Sequence, residues 1–104
     1  MPSQIFIIEQ TPIFHHWLKT LKNPIARVTI ARRIERASFG NFGDHKALGM
    51  GLWEMRIDTG AGYLVYYAQK REIIYLLLNG GDKSTQEKDI EKARKIWTEL
   101  QKHQ

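Results

Sequence analysis

Hydrophobic and polar positions fall into three successive patterns along the chain, and their order outlines a fold. An apolar stretch at Gln4–Glu9, carried by Ile5, Phe6, Ile7 and Ile8, predicts a first strand. Thr11-Pro12 then offers an N-cap residue followed by proline at the first helical position. Phe14, Trp17, Leu18 and Leu21 follow at helical spacing, and Lys22-Asn23-Pro24 breaks that helix. A second helix is predicted from Pro24 to Phe39, with Ile25, Val28, Ala31 and Ile34 at steps of three. The pair reads as a basic helical hairpin packed on a sheet.

Beyond a loop at Gly40-Asn41-Phe42-Gly43-Asp44, which leads into Lys46 and a Gly49-Met50-Gly51 turn, the period changes to two. Over Leu52–Asp58, Trp53, Met55 and Ile57 point one way while Glu54, Arg56 and Asp58 point the other. Thr59-Gly60-Ala61-Gly62 turns the chain, Tyr63–Ala68 returns, and Lys70-Arg71 turns it again into Glu72–Leu78. That last run is apolar without alternation, the mark of a central strand covered on both faces. Three strands joined by short turns predict an antiparallel meander. Ser84-Thr85-Gln86-Glu87 reads as a capping box, and Ile90, Ala93, Trp97 and Leu100 continue a final helical stripe. The expected fold is therefore α+β: two N-terminal helices on a mixed, mostly antiparallel sheet of four to five strands, plus a C-terminal helix. Its 104 residues hold one domain, 1–104.

Composition narrows the function classes. An apolar content of 42% supports a packed core and excludes wholesale disorder. The chain has no cysteine, so neither a disulfide frame nor a thiolate nucleophile is available. Met1-Pro2-Ser3-Gln4 carries no basic leader, and Ile5–Ile8 is too short for a signal or a span, so a cytoplasmic protein without membrane contact is expected. His15 and His16 are adjacent and cannot share a helical face as a metal pair would; no metal and no cofactor are expected.

The net charge of +5 is unevenly spread. Residues 1–39 hold six basic groups against Glu9 and Glu35, whereas residues 40–81 balance four against four. The basic excess on the first helices fits an anionic partner such as nucleic acid or an acidic protein, or simply a solvated helical face. Glu54 and Arg56 on a strand, with Lys83 beyond Gly80-Gly81-Asp82 at the end of another, suggest a cationic site for a phosphodiester on rigid elements. An ordinary exposed cross-strand charge pattern, with Asp82 and Ser84 as caps, is the alternative. No Gly-Lys-Ser/Thr opens a helix after Gly49-Met50-Gly51, so that turn is not a phosphate cradle.

Asn41-Phe42-Gly43-Asp44, Glu54-Met55-Arg56-Ile57, Gly62-Tyr63, Val65-Tyr66 and Gly80-Gly81-Asp82-Lys83-Ser84-Thr85-Gln86 together resemble the HigB-type, phage-derived Gp49-like addiction module killer proteins of the RelE/ParE toxin superfamily. The resemblance runs from the first helix to Ala93. It implies a RelE-like fold and a type II toxin that cuts messenger RNA on the ribosome without a metal, inhibiting translation. The implied partners are the ribosome and its messenger, and a cognate antitoxin of helix-turn-helix type through which operator DNA would be reached.

In that role Arg56 would stabilise a phosphoryl oxygen, with Lys83 and Lys46, just ahead of the sheet, as further cations. Either a lysine or Glu54 would serve as base. Arg32, Arg33, Arg36, Tyr66 and Gln86 are the candidate RNA contacts, Tyr66 by stacking if exposed and by packing otherwise. One position departs from the pattern: Leu64 stands where the family has an arginine assigned to transition-state stabilisation. Three readings follow from it: a weakened toxin resting on Arg56 and Lys83, a deliberately disarmed variant, or a protein that binds without cleaving. The alternatives in function are a non-catalytic antitoxin-binding regulator and a gyrase-targeting toxin of the ParE kind.

Overall fold

A computed structural model describes residues 4–103. Its element order is β1 (Ile7–Gln10), α1 (Pro12–Thr20), α2 (Pro24–Ser38), β2 (His45–Gly49), β3 (Leu52–Ile57), β4 (Tyr63–Arg71), β5 (Ile74–Asp82), a 3-10 turn (Lys83–Thr85) and α3 (Gln86–Lys102). The five strands form one mixed sheet in the order β1-β5-β4-β3-β2. β1 runs parallel to β5, and every other pairing is antiparallel. The expected meander is β3-β4-β5. Among the described residues no helix is long and apolar enough to cross a membrane.

Local chemistry sets the boundaries. The Thr11 hydroxyl accepts from the Phe14 amide and donates to the Leu78 carbonyl at 2.6 Å, so one residue both caps α1 and fixes its start to β5. Asn23 caps α2 in the same way, accepting from the amides of Ile25 and Ala26. The two helices cover one face of the sheet, α1 over β5 and α2 over β1 and β3. Their core joins Phe14, Ile30 and Ala37 to Met55, Ile57, Val65, Tyr67 and Leu77. α3 covers the opposite face, where Ala93 and Trp97 pack on Leu52, Leu64, Tyr66, Ala68, Leu76 and Leu78. The sheet is thus sandwiched, which explains why residues on both sides of β3 are buried although its sequence alternates.

Three expectations need correction. Lys46 lies within the sheet, not ahead of it, because the segment before Gly49-Met50-Gly51 forms edge strand β2. The hairpin tip needs left-handed backbone at three consecutive residues, Gly49, Met50 and Gly51, and glycine takes that conformation freely. The predicted Ser84–Glu87 capping box is absent. Instead Asp82 accepts from the Ser84 amide at 2.8 Å, and the Thr85 hydroxyl donates to Asp89 at 2.6 Å. Finally, β1 and β5 are displaced from the predicted runs: β1 begins at Ile7, and β5 continues through both glycines to Asp82.

Candidate functional site

On the α3 face the register aligns a polar row across four strands. Lys46 opposes Glu54, Glu54 opposes Tyr66, and Tyr66 opposes Asn79. One step toward the open end lies a second row, Arg56, Leu64 and Gly81. The N-terminal turn of α3 crosses above both, bringing Gln86 and Asp89.

Glu54 is the centre of this arrangement. Its side chain is 1% exposed, yet both oxygens are engaged: Oε2 accepts from Arg56 Nε at 3.0 Å and Oε1 from Gln86 Nε2 at 3.1 Å. Burying a carboxylate is costly unless it is paired and hydrogen-bonded, and both conditions hold. The consequence for Arg56 is orientation. Its side chain is 44% exposed, and bonding through Nε leaves both terminal nitrogens without a partner among the described residues. A planar cationic fork is thereby presented outward on a rigid strand, suited to two oxygens of one phosphate.

Gly81 shapes the other side. A side chain there would overlap the Asp89 carboxylate, so its absence lets α3 settle directly on β5. The Asp89 carbonyl accepts from Asn79 Nδ2 at 3.1 Å, tying the same turn to the polar row. The Tyr66 hydroxyl and Asn79 Oδ1 are buried without a partner among the described residues. Burial, with the Glu54 and Asp89 charges nearby, raises the Tyr66 phenol well above its ordinary value and keeps it protonated. Asp82 shifts the other way: the Ser84 hydroxyl and amide hold its carboxyl below the usual 3.8.

The expected site residues therefore divide. Glu54, Arg56, Gln86 and Lys46 share one neighbourhood, with Lys46 exposed and free of any ion pair among the described residues. Lys83 lies at the rim, its aliphatic chain running over Gly62 and its amide donating to the Gly62 carbonyl at 3.2 Å; no hydrogen bond joins it to Glu54 or Arg56. Leu64 is 2% exposed in the α3-side core, beside Arg56 in register. Two expected RNA contacts are buried instead. Tyr66 has no exposed surface for a base to stack on. Arg33 gives its guanidinium to the carbonyls of Arg56, Phe42 and Asp44 at 2.6, 2.9 and 3.2 Å, and burial lowers its pKa. It shapes the loop before β2 and the end of β3. Arg32 and Arg36 line an exposed hollow of α2, across the sheet from Arg56.

Sequence reading overlooked the Tyr66–Asn79 extension of the row and the place of Asp89 over Gly81. The spacing of Glu54 to Tyr66 around the Thr59–Gly62 turn was available to find the first. The register shift at Leu78 in β5 that sets the position of Asn79 leaves no mark in the sequence. Among the described residues no cluster of three or more histidine or acidic side chains gathers to hold a metal ion.

No family model matches the chain. A protein of Haemophilus influenzae (strain ATCC 51907 / DSM 11121 / KW20 / Rd) described as uncharacterized is 48% identical over 93 residues, spanning 89% of this chain and 94% of its own. The chain belongs to the same family as that protein.

Proposed function

We propose that this member of the family is a toxin of the HigB type with a RelE-like fold, acting as a metal-independent endoribonuclease on messenger RNA in the ribosome and silenced by an antitoxin. The observation that carries the reading is the Arg56 fork, pinned through Nε by a buried Glu54 that Gln86 holds from α3. In the proposed reaction a ribose 2′-oxygen attacks the neighbouring phosphorus as it loses its proton. The bond to the 5′-oxygen breaks and that oxygen is protonated, leaving a cyclic phosphate. Arg56 meets the charge that grows on the nonbridging oxygens. Glu54, with both oxygens occupied, positions Arg56 and does not act as base. Lys46 and Lys83 are left to carry the protons.

A second reading draws on Leu64, which puts a buried apolar side chain beside Arg56 where the resemblance expects a second arginine. It favours a protein that binds RNA or antitoxin with little or no turnover. Cleavage of messenger on programmed ribosomes separates the two. Cuts within codons that fall about 10²–10³-fold in Arg56→Ala support the nuclease, the loss expected for one charge-stabilising donor. No cuts from the folded wild type, nor from a folded Leu64→Arg variant, overturn it in favour of binding.

A further inference from the structure

β5 outruns its parallel neighbour. Pairing with β1 stops at Leu77, while β5 continues to Asp82. Where β1 ends, α1 and α3 lie on opposite sides of the sheet and leave a cleft of about 510 Å³ over the free edge of β5. Asn79 and Gly80 line it from the strand, His16 and Trp17 from α1, and Lys92 from α3. The Trp17 ring lies so close over Gly80 that any side chain at that position would collide with it. His16 and Lys92 are exposed and have no ion pair among the described residues. Asn79 Oδ1 is a buried acceptor with no partner among the described residues.

We propose that this cleft binds one nucleotide of single-stranded RNA, its phosphate between Lys92 and His16 and its base against Trp17. An indole beside a lysine and an imidazole N–H is the combination that accepts an unpaired nucleotide without demanding a sequence. Asn79 stands two strands from Glu54 in the same row, about 10 Å at ordinary strand spacing. α3 covers the row between them, so the cleft is a contact separate from Arg56. The inference rests on the RNA reading of the Arg56 site, but binding at the cleft is measurable without cleavage.

The test is a two-dimensional amide NMR titration of the full chain with adenosine 5′-monophosphate, alongside inorganic phosphate. Expected are shifts of the Trp17 indole, Gly80 and Asn79 side-chain signals in the wild type and in Arg56→Ala. Affinity should be about tenfold weaker in Lys92→Ala, where one charged contact is removed, and unchanged in Arg71→Ala, which removes equal charge at the far end of the sheet. The proposal is overturned if the nucleotide leaves these signals unmoved. It is equally overturned if Lys92→Ala and Arg71→Ala bind alike, or if phosphate alone binds as well as the nucleotide. Failure of cleavage with these shifts intact would remove the nuclease reading and leave the cleft standing.

Discussion

The two faces of the sheet are built on different terms. Under α1 and α2 the core is apolar and aromatic: Phe42 stacks on Tyr67 with centroids 5.5 Å apart and meets Tyr75 at 4.9 Å. Under α3 the same strands bury Glu54, Asn79 and the Tyr66 hydroxyl beside leucines, and three buried polar atoms there have no partner among the described residues: Tyr66 Oη, Asn79 Oδ1 and Trp97 Nε1. A buried polar group left unpaired costs about 1–3 kcal/mol, so the two faces differ in what their polar groups require. Departures from good packing of this kind gather where a protein holds chemistry. The polar row that holds the proposed site therefore lies on the face with the less uniform core.

The largest effects should separate the faces cleanly. Phe14→Ala, which empties a fully buried position in the α1/α2 core, should lower unfolding free energy by about 3–5 kcal/mol in urea titration. Glu54→Gln should cost distinctly less stability, because Gln86 and the surrounding apolar contacts remain. It should nevertheless slow the proposed messenger cleavage about 10²-fold, the penalty of a misplaced charge-stabilising group. Equal stability losses from the two variants would break the division between the faces.

Some of this division was legible in the sequence. The alternation of Leu52–Asp58 put Glu54 and Arg56 on one side, Thr11-Pro12 located the start of α1, and the break at Lys22-Asn23-Pro24 placed the start of α2 at Pro24. The alternation did not reveal that the polar side is buried, because only the docking of α3 covers it. Lys46 seemed outside the sheet for a related reason. An edge strand with one packed neighbour needs no long apolar run, and His45–Gly49 has none. Arg33 was misread on residue type alone: a basic helix suggested RNA, whereas loop carbonyls claim one of its arginines; Tyr66 takes the packing alternative. Contacts between distant segments decide such cases, and local pattern does not contain them.

A smaller effect tests whether both faces exclude water equally. Burial raises the phenol of Tyr67 on the α1/α2 face and of Tyr66 on the α3 face above the ordinary 10.0. With folded values raised, the unfolded chain releases its protons first. Stability should be full below pH 10 and fall as pH climbs from there through the folded values. Thermal melts between pH 8 and pH 11 (roughly the span over which an unfolded phenol ionises) should show this decline, reduced in Tyr66→Phe and in Tyr67→Phe. A decline that only Tyr67→Phe reduces would mean that the α3 face opens to water before the other.

The smallest effect is the most discriminating. Tyr66→Phe deletes a hydroxyl that is buried and unpartnered and keeps the ring packed among Leu52, Leu64, Leu78 and Ala93. Removing an ordinary hydrogen-bonded hydroxyl costs about 1 kcal/mol, but removing an unsatisfied one relieves its desolvation and should leave stability unchanged or raised by about 1 kcal/mol at pH 7. Urea titration at that pH reads the sign directly. A clear loss would show that the hydroxyl has a partner, such as a water bridging it to Asn79, and that the polar row is satisfied. A gain accompanied by weaker RNA binding would place Tyr66 among the groups for which the α3 face gives up stability.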